Sequence, residues 1–151
     1  MYQRILVAVD GSQSSVLAVD QAIILAKVSG ADVKALFVVD DSDLFFDMRY
    51  RDSTDLLKKV MTHGQETLVR TVDRFQAAGI LCVTRLIERT NSRGLVADTI
   101  AAEADKWRAD LIVLGTHGRR GIRRLIMGSV SAGVVRRTRL PVLLARSEAE
   151  H

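Results

Sequence analysis

Apolar residues in this chain gather into five short runs, and the stretches between them carry a different, helical periodicity. The first, second and fourth runs are close to continuously apolar, which is typical of strands buried on both faces of a sheet. We therefore predict five strands, at Ile5–Val9, Val33–Val39, Ile80–Ile87, Leu111–Leu114 and Val142–Ala145.

Most of the intervening segments place apolar residues three or four positions apart, as one face of an amphipathic helix does. The first such face contains Ala18, Ala22 and Ala26, and Gly30 is positioned to end that helix. Three further faces follow, formed by Leu57, Met61, Leu68, Val72 and Phe75 before Gly79, by Val96, Ile100, Ala101 and Ala104, and by Val130 and Val134.

Strands that alternate with helices predict an α/β fold, a doubly wound parallel sheet with helices on both faces and right-handed crossovers. A length of 151 residues matches one domain, which we expect to span residues 1–151. The segment Asp40–Ser53, rich in Asp and Arg, interrupts the pattern and is expected to be an irregular loop.

Composition narrows the class of protein. No apolar run approaches the about 20 residues that a membrane helix needs, so we expect no membrane association and a cytoplasmic location. The single cysteine, Cys82, excludes an intramolecular disulfide framework. Aromatic residues make up 5% of the chain, which argues against single-stranded nucleic-acid binding because that binding relies on base stacking.

Positive charge is concentrated in one segment. The net charge is +4, but residues 111–147 contain eight arginines and no acidic residue. Subtracting those eight from 22 basic residues leaves 14 against 18 acidic ones, a balance of −4 elsewhere. The segment is either a solvated basic face or the part of the molecule that meets an anion.

Candidate binding residues follow the predicted strands, because doubly wound sheets bind ligands beyond the carboxyl ends of their strands. Asp10, directly after the first strand, could accept from ribose hydroxyls, approach a metal ion or cap the next helix. Val38 lies at the end of the second strand; taken alone this stretch is core, although backbone groups between apolar walls at a strand end could receive an adenine ring. A Gly-x-Gly-x-x-Gly fingerprint and a Walker A loop are both missing from the sequence.

The fourth strand leads into the most informative stretch, Gly115 to Gly121, and then into Gly128 to Ser131. Glycines let backbone amides approach a phosphate closely and form an anion nest. Gly128 and Ser129 fall where the last helix should begin, and a helix N-terminus favours phosphate. The sequence therefore predicts a two-part phosphate site, to which Ser129 and Ser131 can add hydroxyl donors.

The spacing Gly115-x2-Gly118-x9-Gly128-Ser129 resembles the pattern of ATP-binding universal stress proteins. The resemblance covers essentially the whole chain, because the segments Ile5–Ser12, Ala109–Gly115 and Leu140–Leu144 fit as well. It implies a Rossmann-like five-stranded sheet of order 3-2-1-4-5, which would bring Asp10 beside Gly115. One departure is the segment Arg89–Ser92, where many relatives carry a Gly-x-Pro turn; that wall of the pocket would differ in shape.

The resemblance also implies a role for each matching position. Asp10 would approach the ribose and a Mg or Mn ion, and the Val38 backbone would meet adenine. The bound cofactor would be ATP, ADP or AMP. The full set of nucleotide-binding candidates is Val9, Asp10, Val38, Gly115, Thr116, Gly118, Arg119, Gly128, Ser129, Val130 and Ser131.

Three functions fit these features. The first is a stress-response binding module whose nucleotide occupancy alters a dimer or a partner surface. The second is an enzyme, a slow ATPase or an autophosphorylating protein with Ser129 or Ser131 as acceptor, for which Asp10 is the clear metal candidate. The third is nucleic-acid binding through the cluster Arg119–Arg124. The sequence favours the first.

The last strand predicts how the protein associates. Val142–Ala145 follows Pro141 and is expected at a sheet edge, where an unpaired apolar strand invites pairing. We expect a homodimer through this strand; the alternative is a monomer whose tail covers the edge. His117 is expected to fill a loop position, His63 to lie on a helix surface, and Trp107 to belong to the core.

Overall fold

The computed structural model describes residues 1–39, 53–88, 96–116 and 128–147. Strands and helices alternate along these residues. Each strand begins and ends within two residues of its predicted bounds. The strands are β1 (Arg4–Ala8), β2 (Asp32–Val39), β3 (Cys82–Glu88), β4 (Leu111–Gly115) and β5 (Val142–Ala145). The helices are α1 (Gln13–Ser29), α2 (Ser53–Ala77), α3 (Val96–Trp107) and α4 (Ser129–Arg137).

The five strands form one parallel sheet in the order β3-β2-β1-β4-β5, which confirms the expected topology. Strand β1 is central, with Val7 in register with Ala35 of β2 and with Val113 of β4. The chain therefore builds β2 and β3 on one side of β1, and then crosses over from β3 to build β4 and β5 on the other side. The gap beyond the carboxyl ends of β1 and β4 is the switch point at which such folds bind ligands.

Alternate residues of the central strands enter two hydrophobic cores, one on each face of the sheet. Ile5 and Val7 join the core beneath α1 and α2, whereas Leu6 joins the core beneath α3 and α4. Helices on both faces are thus confirmed. Trp107 packs against the second core as predicted, and the cationic groups of Arg4 and Lys34 lie 5.8 and 5.5 Å from its ring centroid.

Two helix ends show why the predicted boundaries were close. Gly30 ends α1 with φ 70°, and its amide donates to the Ala26 carbonyl, as the sequence predicted. At the end of α2, Gly79 has φ 76° and the Ile80 amide donates to the Phe75 carbonyl. That arrangement is a Schellman motif. It assigns Ile80 to the helix end, so β3 starts at Cys82 and not at Ile80.

Cys82 lies in β3 and is buried, as expected for a small apolar residue. Burial raises the pKa of its thiol to about 11, although a hydrogen bond with the Ala35 backbone opposes the rise. The thiol therefore stays protonated at physiological pH, which fits a packing role. Among the described residues, no helix is long and apolar enough to cross a membrane.

One buried carboxylate joins α3 to the sheet. Glu103 is 6% exposed, and its Oε1 lies 2.9 Å from Lys34 Nζ and 3.3 Å from Arg85 Nε. On the same helix, Asp98 pairs with Arg137 at the surface, where both side chains are a third or more exposed. The helix thus carries a buried pair and an exposed pair of the same charge type.

Glu103→Ala is expected to lower the free energy of unfolding by about 2–3 kcal/mol, because it leaves the largely buried Lys34 ammonium without its carboxylate. Asp98→Ala is the matched control on α3 and should cost less than about 1 kcal/mol, because the exposed pair is solvated in both states. Urea unfolding followed by circular dichroism gives both values. Equal losses in the two variants would contradict this account of the buried pair.

Candidate functional site

The turn after β1 is built around Asp10. The Asp10 amide donates to Ser15 Oγ at 3.2 Å, and the Ser12 amide donates to Asp10 Oδ1 at 2.9 Å. Ser12 in turn caps α1, since its Oγ accepts from the Ser15 amide. The capping role proposed for Asp10 therefore belongs to Ser12. Asp10 is half-buried, and one of its carboxylate oxygens shapes the turn that precedes the helix.

The first turn of α1 lies directly against the end of β4. A Cβ on Gly115 would lie 2.4 Å from Ser14 Oγ and 2.7 Å from the Ser14 carbonyl carbon. Neither distance is possible for a real side chain, so only glycine allows this approach. The contact brings the chain segment that follows β1 against the end of β4 at the switch point. This arrangement is consistent with the prediction that Asp10 lies beside Gly115.

The start of α4 returns to the point where β4 ends. The Gly128 amide donates to the Thr116 carbonyl, and the Thr116 amide donates to the Ala145 carbonyl. Ser131 Oγ donates to the Gly128 carbonyl at 3.0 Å and also lies 3.3 Å from the Thr116 carbonyl. The two halves of the glycine motif, twelve positions apart in sequence, are therefore joined by hydrogen bonds.

Two helix N-termini consequently face the same end of the sheet. The first turns of α1 and α4 contain no acidic residue, whereas those of α2 and α3 contain Asp55 and Asp98. Gly128 caps α4 without a side-chain hydrogen bond. Amides and dipoles at such termini attract anions, and an acid in the first turn would compete with them. Of the helix N-termini that follow the strands, those of α1 and α4 are therefore the ones suited to an anionic ligand.

The remaining predicted site residues differ in how accessible they are. Val9 is buried, and its amide donates to the Leu36 carbonyl; the Val38 side chain packs against the core beneath α3 and α4. Ser129 and Val130 are exposed at the start of α4, whereas Ser131 is 1% exposed. Ser131 is thus placed to hold the two halves of the motif together, and its direct contact with phosphate stays a prediction.

Thr116 carries an unusual hydroxyl. The residue is 2% exposed, yet its Oγ1 has no hydrogen-bond partner within the part of the chain that the structure describes. Buried hydroxyls nearly always have a partner. A donor and acceptor group is therefore available at the point where β4 ends.

Several predicted features lie outside the described residues. They are Gly118, Arg119, the cluster Arg119–Arg124, His117, the segment Arg89–Ser92 and the loop Asp40–Ser53 up to residue 52. Ser53 itself is the first residue of α2. Within the described ranges, no group of three or more His, Cys, Asp and Glu side chains is arranged to hold a metal.

One residue near the site was misplaced by the sequence analysis. His63 does not lie on an open helix surface: its Nε2 is 3.3 Å from the Asp10 carbonyl oxygen, and its ring meets the edge of Phe37. The available signal was Gly64, because a glycine inside a long helix costs about 1 kcal/mol relative to alanine. Such a residue often marks a close approach, which here is the approach of α2 to the sheet.

Known proteins resemble this chain along its whole length. The universal stress protein family matches residues 1–146. A universal stress protein of Methanocaldococcus jannaschii is 34% identical over 147 residues, which cover 97% of this chain and 83% of the relative. A universal stress protein from Lactobacillus plantarum superimposes with a TM-score of 0.80 at 26% identity, covering 96% and 98% of the two chains. A universal stress protein solved in complex with cAMP has a TM-score of 0.69 at 30% identity, covering 95% and 97%.

Proposed function

Because the chain belongs to the universal stress protein family, we propose that it binds an adenine nucleotide, ATP, ADP or AMP, at the junction of β1 and β4. It would act in the cytoplasm as a stress-response binding module, whose occupancy alters a dimer or a partner surface. The observation that supports the proposal is the contact of Gly115 with Ser14, which brings the end of β4 against the start of α1. Both α1 and α4, the helices that follow β1 and β4, lack an acidic residue in the first turn.

Each part of the nucleotide has a matching group in this arrangement. Phosphates suit the amides at the start of α4, where Gly128 and Ser129 leave the helix end open. The ribose suits the carboxylate of Asp10, and the adenine suits the backbone at Val38. The relative crystallised with cAMP supports an adenine nucleotide over other phosphorylated ligands. ATP specifically is proposed because the glycine spacing resembles that of ATP-binding universal stress proteins.

At Ser131 the geometry supports binding better than phosphoryl transfer. Ser131, one of the two candidate acceptors, is buried and hydrogen-bonded to the carbonyl groups of the motif. A hydroxyl held in this way is poorly placed to attack a phosphorus atom, because it would first have to leave both carbonyl oxygens. Incubation with labelled ATP should therefore leave Ser131 unmodified.

The proposal is tested by purifying the protein without added nucleotide and identifying what it releases on denaturation. We expect the released compound to be an adenine nucleotide. If purification removes the bound nucleotide, adding ATP before native mass spectrometry should increase the mass of the protein by one nucleotide. A protein that releases nothing and gains no mass with millimolar ATP or AMP would refute the proposed function.

We also propose a homodimer formed through β5, which lies at one edge of the sheet. The Pro141 carbonyl accepts from the Ile112 amide of β4, and the Ala145 carbonyl accepts from the amide of Thr116, directly after β4. Because backbone groups alternate in direction along a strand, the amides of Val142 and Leu144 point away from β4. Those outward groups are the ones that pairing with a second copy would satisfy.

Val142→Pro is expected to convert the dimer into a folded monomer, because it removes an outward amide while leaving every β4 hydrogen bond in place. Val142→Thr keeps that amide and should remain dimeric. Light scattering after size exclusion gives the mass, which for the dimer is about twice the 16.7 kDa of one chain. A monomeric parent protein, or a dimeric Val142→Pro variant, would show that β5 does not form the interface.

A further inference from the structure

Helix α2 reaches the nucleotide end of the sheet through His63. Its Nε2 lies 3.3 Å from the Asp10 carbonyl oxygen, and these residues are 53 positions apart in sequence. A carbonyl oxygen only accepts, so Nε2 must carry the hydrogen and donate. The ring is held from the other side by Phe37 of β2, with centroids 5.7 Å apart and an interplanar angle of 76°.

The close approach of α2 is made possible by Gly64. A Cβ there would lie 2.7 Å from Leu86 Cδ1 and 2.9 Å from Phe37 Cδ1, so a side chain would push the helix off β2 and β3. Gly64 therefore lets the preceding residue, His63, sit low enough to reach the turn after β1. This explains a glycine in the interior of a helix, which otherwise weakens it.

The imidazole also packs against the residue that follows Asp10. Gly11 has φ 84°, and a Cβ on it would lie 2.9 Å from both Cε1 and Nε2 of His63 and 3.3 Å from Thr67 Oγ1. The turn is thus shaped to the imidazole at a position where only glycine leaves room. His63 contacts the backbone of the turn on both sides of the Asp10–Gly11 peptide.

Three hydrogen bonds to other described residues help to fix Asp10. Its amide donates to Ser15 and its carboxylate accepts from Ser12, both of which belong to the same turn and helix. Only the bond from His63 to its carbonyl comes, among these three, from another part of the chain. That bond restrains the Asp10–Gly11 peptide from the side of α2, and the backbone position of Asp10 limits where its carboxylate can point.

We propose that His63 is a positioning residue of the nucleotide site, which holds the Asp10 carboxylate in the direction needed to accept from the ribose hydroxyls. The proposal rests on the proposed function, because it assigns a role within that site. In this proposal His63 acts through its contact with Asp10 and makes no direct contact with the nucleotide. Its effect on affinity should therefore pass through Asp10 and through the ribose.

The test compares variants that separate the hydrogen bond from the packing. His63→Leu fills similar space without a donor, whereas His63→Gln can place an amide nitrogen where Nε2 lies. We expect His63→Leu to weaken ATP binding about five- to tenfold, the worth of one hydrogen bond. His63→Gln should bind within about twofold of the parent protein. Glu66→Ala, on an exposed part of α2, is the matched control and should bind like the parent.

Two further measurements separate positioning from general support of the fold. With 2′,3′-dideoxy-ATP, which lacks the hydroxyls that Asp10 would accept from, His63→Leu should bind as well as the parent protein. In an Asp10→Ala background, His63→Leu should cause no additional loss, because interacting residues are not additive. A merely structural role predicts the same loss for both nucleotides and additive losses in the double variant.

The outcomes also distinguish this proposal from the proposed function. If the parent protein binds no adenine nucleotide, both are overturned. If the parent binds ATP and His63→Leu binds it equally well, only the positioning role is overturned. The positioning role is also overturned if His63→Gln loses as much affinity as His63→Leu. It is overturned as well if His63→Leu loses as much affinity for dideoxy-ATP as for ATP. Melting temperatures of all variants establish that the titrated samples are folded.

Discussion

Gly115→Ala is expected to lower the melting temperature by about 6–12 °C and to abolish measurable nucleotide binding. The change in melting temperature corresponds to a loss of about 3 kcal/mol from overpacking in a domain of this size. The new Cβ would meet Ser14 Oγ at 2.4 Å and the Ser14 carbonyl carbon at 2.7 Å. A side chain can rotate away, but the backbone carbon cannot. The end of β4 must therefore separate from α1, which opens the junction on which the proposed site depends.

Gly30→Ala is the matched control for this substitution. Gly30 has φ 70° and no atom within 4 Å of its Cβ position, so alanine there meets backbone strain without a clash. It should cost about 1–2 kcal/mol and leave nucleotide affinity unchanged. Differential scanning calorimetry gives the stabilities, and titration gives the affinities. If the Gly115→Ala variant has the same melting temperature as the Gly30→Ala variant and still binds ATP, the close contact between β4 and α1 is contradicted.

Asp10→Ala is expected to weaken nucleotide binding about 10- to 100-fold, because hydrogen bonds to a charged group contribute about 1.5–3 kcal/mol each. Part of that loss comes from the turn, since Asp10 Oδ1 accepts from the Ser12 amide. Asp10→Asn separates the two contributions. The asparagine Oδ1 can keep the Ser12 bond, so the turn survives while the charge is removed, and affinity should fall by less than in Asp10→Ala.

A carboxylate at the opposite end of the sheet provides the control for Asp10. Asp110 accepts from the amides of Gln3 and Arg4 at the amino end of β1, so Asp110→Ala should cost stability and leave nucleotide affinity unchanged. Both proteins are compared by titration with ATP under the same conditions. Equal affinity losses for Asp10→Ala and Asp110→Ala would mean that the first acts through general instability and not through the ribose.

The strands were predictable because their sequences satisfy burial on both faces. Ile5, Leu6 and Val7 are all fully buried, yet they enter two different cores, and only a continuous apolar run meets that requirement. The order of the strands is a different matter. Periodicity gives the elements but not their neighbours, and the order 3-2-1-4-5 followed from the resemblance before the pairing of β1 with both β2 and β4 confirmed it.

Contacts within the candidate site were predictable where they follow local sequence, and were missed where they depend on packing across the fold. The glycine spacing indicated a two-part phosphate site, and the bond from Gly128 to Thr116 joins its parts. His63 was missed because its partner is a backbone carbonyl 53 positions away, which no local pattern records. Similarly, nothing in the sequence shows that Ser14 lies against Gly115, since the contact exists only once α1 packs on β4.

Nucleotide binding itself is tested most directly by calorimetric titration of the purified, nucleotide-free protein with ATP and with AMP, each with and without magnesium. We predict saturable binding of one nucleotide per chain with Kd below about 100 µM. The affinity should fall in Asp10→Ala and stay unchanged in Asp110→Ala. Titrations that show no heat of binding at millimolar nucleotide, in either the presence or the absence of magnesium, would contradict the proposal that this junction is a nucleotide site.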